Sequence, residues 1–221
     1  MPDEKLIAYY RARATEYEQI YFRDNPPRRK ELTDEAARLA ELSRGQRVLD
    51  LACGTGYWTE IMARTAGEII AVDISPEMLA EARKKSYAGP VLFIRADLNH
   101  LPLKSHGFDL VTLGFWFSHQ PKQEYDRLFD IIREQLASAA SGRVWLIDNN
   151  PPAEGPNRDS AGKDEFGNNY KRRLLDSGEE HIILKNYFTP SQLEAIFKPH
   201  FTIERLTYGE YYWVVVLRQC S

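Results

Sequence analysis

Between residues 45 and 150 five short apolar runs recur. They are RVLDLA (47–52), EIIAV (68–72), VLFIRA (91–96), FDLVTL (108–113) and RVWLI (143–147). Each has the length and the apolar, often β-branched content of a strand buried on both faces. Stretches of helical periodicity separate most of them, predicted over 57–66, 76–86 and 122–139. The second opens on Ser75-Pro76, with proline in the first turn. The third turns Leu128, Ile131, Ile132 and Leu136 inward. Strands that alternate with amphipathic helices form a parallel sheet covered on both faces, so the chain reads as α/β. Its 221 residues are room for one domain with an elaborated cap.

The flanks follow other rules. Leu6, Ile7, Tyr10, Ala14, Tyr17, Ile20 and Tyr21 predict a helix over 4–22, ended by Asn25-Pro26-Pro27. A second helix is expected over 30–43, and together these make an N-terminal helical cap, 1–44. The α/β core would span 45–150. After the fifth strand, 149–180 is rich in proline, glycine and charge, and is long for a simple connection. Such a segment is disordered or a functional lid; it reads here as part of a lid insertion, 149–186, in which Phe166, Tyr170, Leu174 and Leu175 would anchor a helix. Thr189-Pro190-Ser191-Gln192 starts a last helix. Strands at 201–208 and 211–218, joined at Gly209-Glu210, close the region 187–221 as a hairpin.

Composition narrows the partners. Hydrophobic residues make up 43% and charged residues 28%, which excludes a disordered or collagen-like chain. No apolar run reaches 18 residues, so no transmembrane helix is expected, and the acidic N-terminus does not read as a secretory signal. Cys53 and Cys220 stand far apart, which points to a reducing, cytoplasmic compartment rather than a disulfide framework. The formal net charge of -3 weighs against nucleic acid as a partner. Two basic clusters, Arg28-Arg29-Lys30 and Lys171-Arg172-Arg173, read as solvated faces or as local sites for an anionic small molecule.

VLDLACGTG (48–56) is the sharpest motif. It lies between a strand and a helix, where a glycine loop can hold a ligand. No Gly-Lys-Ser/Thr follows, so it is not a P-loop. Thr59 stands where G-x-G-x-x-G would place its last glycine, so nicotinamide chemistry is weakly supported. Ala52 occupies a position that often carries glycine, and that turn must accept a methyl group. Asp73 ends the second strand, where a carboxylate can take both hydroxyls of a ribose or cap the next helix. Asp97 ends the third, and would accept from an exocyclic amine or form a turn. His100, His106, His119, His181 and His200 are scattered, so no metal site is predicted. A G-x-S-x-G elbow is absent.

Taken together, VLDLACGTG (48–56), AVDISPEML (71–79), RADLNHLPL (95–103) and FDLVTLGFWFSH (108–119) resemble the class I S-adenosylmethionine-dependent methyltransferases. The resemblance implies a Rossmann-like, doubly wound seven-stranded sheet with the last strand antiparallel, in one domain over 1–221. It implies S-adenosylmethionine as cofactor, with 45–150 as the cofactor-binding core. Asp50 would position the methionine ammonium, directly or through water, and Ala52, Cys53 and Gly54 would line the methionine part with their backbone. Asp73 would bind the ribose diol, Ile74 or Met78 would pack on the adenine, and Asp97 and Leu98 would meet the adenine amine and ring. Leu113 and Gly114 would lie near the carboxypropyl part and the methyl group.

The acceptor side is less determined. His119 reads as a general base, or as a loop histidine that caps a helix or packs beside Trp116. Phe115 and Trp116 would wall the acceptor. Tyr10, Arg13 and Tyr17 share a helical face. Tyr17 or Tyr21 would cover the cofactor carboxylate or the acceptor, or the aromatic stripe would simply pack. Tyr170, Arg172 and Arg173 in the insertion are substrate candidates, because an arginine fork pairs with carboxylate or phosphate. The function expected is methyl transfer to N or O of a small molecule. The alternatives are a protein or RNA methyltransferase and a non-catalytic, cofactor-binding partner subunit. LGFW stands after the fourth strand in place of an NPPY-like motif, which shifts weight from nucleobase amines.

Overall fold

The computed structural model describes residues 4–14, 17–20, 25–103, 107–137, 142–155, 159–175 and 178–219. The five apolar runs form β1 (Arg47–Leu51), β2 (Glu68–Asp73), β3 (Val91–Arg95), β4 (Leu110–Gly114) and β5 (Arg143–Asn149). With the closing hairpin, β9 (Phe201–Tyr208) and β10 (Tyr212–Gln219), they make one sheet in the order β3-β2-β1-β4-β5-β10-β9. Strands β1 to β5 pair in parallel, and β10 runs antiparallel between β5 and β9. The order reverses between β1 and β4, so the crevice above their carboxyl ends is where such a sheet takes a ligand.

Two apolar layers sandwich the sheet. One gathers Leu49, Leu51, Phe117, Phe129, Phe197 and Trp213. Into it α5 (Tyr125–Gln135) buries Leu128, Phe129 and Ile132, while α6 (Pro190–Phe197) buries Leu193 and Phe197. The other holds Leu39, Val48, Trp58, Met62 and Trp145. It receives α2 (Pro26–Leu42) and α3 (Tyr57–Met62); α4 (Pro76–Ala82) follows β2. Glu35 on α2 is buried, bonded to the Trp145 indole N–H and ion-paired with Arg205. That pairing offsets the cost of a desolvated carboxylate.

Several boundaries differ from the sequence reading. The first helix, α1, ends at Arg13 and is followed by a 3-10 turn at Tyr17–Ile20. The prolines at 26 and 27, expected to end the first helix, instead occupy the first turn of α2, whose Arg28 amide donates to the Asn25 side chain 3.0 Å away. The helices predicted over 57–66, 76–86 and 122–139 are shorter, at Tyr57–Met62, Pro76–Ala82 and Tyr125–Gln135.

The insertion contains no helix among its described residues. It is a small antiparallel sheet, β6 (Ser160–Lys163), β7 (Asn169–Leu174) and β8 (Glu180–Leu184). Phe166 and Leu174 are exposed rather than anchoring. Lys171 and Ile183, a cross-strand pair, face inward, whereas Arg172 and Ile182 face outward. Helix α1 packs on β8 and also touches α4, where Arg11 pairs with Glu77 at 3.0 Å. The cap and the insertion thus meet above the carboxyl ends of the parallel strands. No helix among the described residues is long and apolar enough to cross a membrane.

Candidate active site

Two cavities open at that end of the sheet. The smaller is lined by Ala52, Gly54, Asp73, Ile74, Met78, Asp97, Leu98 and Gly114, and α1 roofs it with Leu6, Ile7 and Tyr10. The larger, about 810 Å³, lies between α1, the insertion and the hairpin turn. Tyr10, Tyr17, Phe115 and His119 line both. A group held in one therefore reaches a group held in the other.

Backbone geometry sets the floor of the smaller cavity. Ala52 (φ 53), Gly54 (φ 55) and Gly56 (φ 78) are all left-handed, so the chain leaves β1 in a sharp turn. At Ala52 that conformation carries a methyl group at some steric cost. The amides of this loop are used internally: Cys53 N–H donates to Val72 O, Gly56 N–H to Cys53 O and Gly54 N–H to Asp73 Oδ2. A phosphate cradle needs such amides free, so this loop does not suit a pyrophosphate.

Asp73 sits at the centre. Its Oδ2 accepts from Gly54 at 2.8 Å and its Oδ1 from Ser75 at 2.8 Å. Burial raises its pKa, and these amide bonds pull the other way. Each oxygen keeps a lone pair for a further donor, which fits a vicinal diol. The helix-cap role falls instead to Ser75, whose Oγ accepts from Met78 N–H. Asp97 caps the 3-10 turn Leu98–His100. Burial raises its pKa, but the Asn99 amide and His100 outweigh this and hold it below the ordinary value. With Ile74, Met78 and Leu98 as an apolar wall, the donor set fits a nucleoside: a diol acceptor, an amine acceptor and flat apolar faces between them.

Asp50, Cys53 and Leu113 line neither cavity. Asp50 is almost fully buried under the loop, accepting from Thr59 Oγ1 at 2.5 Å and Thr112 Oγ1 at 2.9 Å. Burial pushes its pKa up to about 6, against those two hydrogen bonds. Burial likewise pushes the Cys53 thiol up, so it is a poor nucleophile. Gly114 lines the smaller cavity, and a Cβ there would fall 2.3 Å from Trp58 Cδ1. Phe115, the next residue, holds φ 58, a strained value for an aromatic side chain.

His119 is buried and both of its ring nitrogens are engaged. Nδ1 lies 2.6 Å from Leu184 O, which can only accept, so Nδ1 carries the proton. Nε2 then accepts from the Tyr10 hydroxyl at 2.7 Å. Burial, helped by the Lys185 charge, holds the imidazole well below its ordinary pKa. Burial also raises the Tyr10 phenol well above its own. The pair is a neutral clasp that ties α1 to β8 and β4.

The other acceptor candidates divide. Arg13 and Arg173 line the larger cavity, while Trp116 lines the smaller. Tyr170 and Arg172 line neither: the Tyr170 hydroxyl donates to Asp164, and Arg172 faces outward toward Glu180. Tyr21, His106 and Cys220 lie outside the described residues. Lys185 escaped the sequence reading. It is buried, donating to Asp148 Oδ1 at 2.8 Å and Ser118 Oγ at 2.6 Å, and it lines the larger cavity. The signal was there: a lysine directly after the apolar run IIL. Among the described residues no three His, Cys, Asp or Glu side chains cluster as metal ligands.

The chain is similar to known proteins. Residues 48–139 match a family described as a methyltransferase domain. Over 87 residues the chain is 41% identical to a demethylmenaquinone methyltransferase of Lactiplantibacillus plantarum, covering 36% of this chain and 37% of that protein. Over 100 residues it is 36% identical to a malonyl-[acyl-carrier protein] O-methyltransferase of Hamiltonella defensa, covering 45% and 36%. The chain thus spans less than half the length of these curated relatives. A solved DhpI-SAM-HEP complex superposes over nearly everything: 97% of this chain and 96% of that one, with TM-score 0.75 and 26% identity. The sheet order, the glycine loop and these likenesses agree: residues 48–139 match a methyltransferase domain, and the fold is that of the S-adenosylmethionine-dependent methyltransferases.

Proposed function

We propose that this protein transfers the methyl group of S-adenosylmethionine to a nucleophilic N or O atom of a small molecule. One observation carries the reading: Asp73, held by the Gly54 and Ser75 amides, turns its carboxylate into a cavity that shares four residues with a second, larger one. The sulfonium of the cofactor supplies an already activated methyl group. Asp73 would hold the ribose hydroxyls, Ile74, Met78 and Leu98 would pack on the adenine, and Asp97 would accept from its amine. Asp50, behind the loop, would favour the ammonium through the loop rather than by direct contact.

For the transfer itself the protein must align three atoms and exclude water. Tyr10, Tyr17 and Phe115 border both cavities and are placed to screen the transfer path. The Tyr10–His119 hydrogen bond fixes α1 over it. The aromatic walls and the modest size of the larger cavity, about 810 Å³, support a small acceptor over a protein or RNA segment. The curated relatives' names, a demethylmenaquinone methyltransferase and an acyl-carrier-protein O-methyltransferase, support the reaction class without naming this chain's acceptor.

The test is product analysis. Purified protein, methyl-labelled S-adenosylmethionine and a metabolite extract are incubated, and products are resolved by mass spectrometry. A labelled product of low mass is expected. Label only on macromolecules, or cofactor binding without any labelled product, would overturn the small-molecule reading.

A further inference from the structure

We infer that the acceptor is an oxyanion, a carboxylate or a phosphoryl oxygen, methylated on oxygen with no protein group serving as base. This deepens the methyl-transfer reading and rests on it.

Charge is the first observation. The larger cavity is lined by four cationic side chains, Arg13, Arg28, Arg173 and Lys185, against two carboxylates, Asp159 and Glu210. The chain as a whole carries a net charge of -3, so this is a local concentration and not a basic surface. The cations also keep donors to spare. Arg13 and Arg28 donate to the hydroxyls of Tyr9 and Tyr212, both at 2.6 Å, rather than to carboxylates. Arg173 lies 3.8 Å from Asp159, beyond a hydrogen bond, and it donates to neutral oxygens, the Arg172 carbonyl and the Tyr187 hydroxyl. Lys185 uses two of its three N–H groups on Asp148 and Ser118. A guanidinium fork and a buried ammonium on one wall are a receptor for a bidentate oxyanion.

The second observation is the clasp. A neutral hydroxyl acceptor needs a base at the transfer point, and His119 is the histidine that lines both cavities. Its Nδ1 is committed to Leu184 O and its Nε2 to the Tyr10 hydroxyl. Asp159 and Glu210 are exposed. An amine acceptor would arrive largely as an ammonium, in a cavity whose lining holds more cations than carboxylates. An oxyanion avoids both obstacles. Its oxygen forms a bond to the methyl carbon as the carbon–sulfur bond breaks, and the electron pair goes to sulfur. The negative charge of the acceptor and the positive charge of the sulfonium disappear together, and no proton is released.

Two experiments separate this from the reading beneath it. First, protein saturated with S-adenosylhomocysteine is titrated with phenylphosphonate, benzoate and benzyl alcohol, followed by calorimetry. At least one anion is expected to bind and the alcohol not, and Arg173→Gln should weaken the anion roughly tenfold or more. Lys185→Met should do the same if it folds; Arg173 is half-buried and its variant keeps the test open if it does not. Second, the metabolite extract is split on an anion exchanger before the labelling assay. The labelled product should come from the retained fraction. Release of labelled methanol in mild base marks a carboxylate ester; a base-stable product one negative charge poorer marks a phosphoryl ester. Product from the unretained fraction alone, or no anion binding despite normal S-adenosylhomocysteine affinity, would overturn the inference. Failure to bind S-adenosylhomocysteine would instead overturn the methyltransferase reading.

Discussion

Replacing Asp50 with asparagine should stabilise the ligand-free protein at neutral pH and weaken its cofactor site. Asp50 is buried, and among the described residues its hydrogen-bond partners are two threonine hydroxyls, which offset part of its desolvation. Burial raises its pKa from 3.8 to about 6. The folded state therefore holds a proton that the unfolded state has lost between those values. Sign follows from linkage: the raised pKa costs nothing below pH 4, and stability is lost as pH rises toward 6. The loss levels off above that, at about 3 kcal/mol. Asparagine keeps one oxygen for Thr112, and its amide can donate to the Thr59 hydroxyl, so the packing survives. Urea denaturation from pH 4.5 to 8 should give near-equal stabilities at the acid end. The variant should gain about 2 kcal/mol at pH 7. A difference independent of pH, or a variant less stable at pH 7, would refute the reasoning. The same variant should bind S-adenosylhomocysteine more weakly, since the charge that destabilises the empty fold is the one proposed to favour the ammonium.

Three further outcomes are expected. Gly114→Ala should cost about 1–3 kcal/mol in denaturant titrations, because its Cβ would meet the buried Trp58 indole, which is itself wedged against Trp145 at 4.9 Å between ring centroids. Ala52→Gly should raise stability by up to about 1 kcal/mol, since φ 53 suits glycine; a loss would mean that the methyl group packs better than it strains. Asp148→Asn removes the carboxylate beside the buried Lys185 and should cost about 3 kcal/mol or more, read as a fall in melting temperature; an unchanged melting temperature would mean that Lys185 is neutral in the fold.

The central sheet was legible because its strands are buried on both faces and so read as unbroken apolar runs. VLDLA and EIIAVD needed no tertiary information. The insertion was not legible, for the converse reason. NYKRRL in β7 alternates, but it puts Lys171 inward and Arg172 outward, so charge hides the period. Phe166 and Leu174, which composition marks as anchors, are exposed. Asp73 and Asp97 could be found because the ends of parallel strands are special places in this topology. Which way Asp50 turns could not, since that depends on Thr59 and Thr112 from two other elements. His119 was visible as a chemical group, but its state is set by Leu184 and Tyr10, 65 and 109 residues away in sequence. Lys185 is a candidate because the chain leaving β8 brings it to Asp148 of β5 and to Ser118.

The most direct test of the account is calorimetric titration of S-adenosylhomocysteine into the wild type, Asp73→Ala and Asp73→Asn, with melting temperatures as a control for folding. The account predicts one site in the wild type and a loss of affinity on the order of a hundredfold in Asp73→Ala, as two charge-assisted hydrogen bonds to the ribose disappear. Asp73→Asn, which keeps one acceptor, should fall between. Equal affinity in all three proteins, or no binding to the wild type, would contradict it.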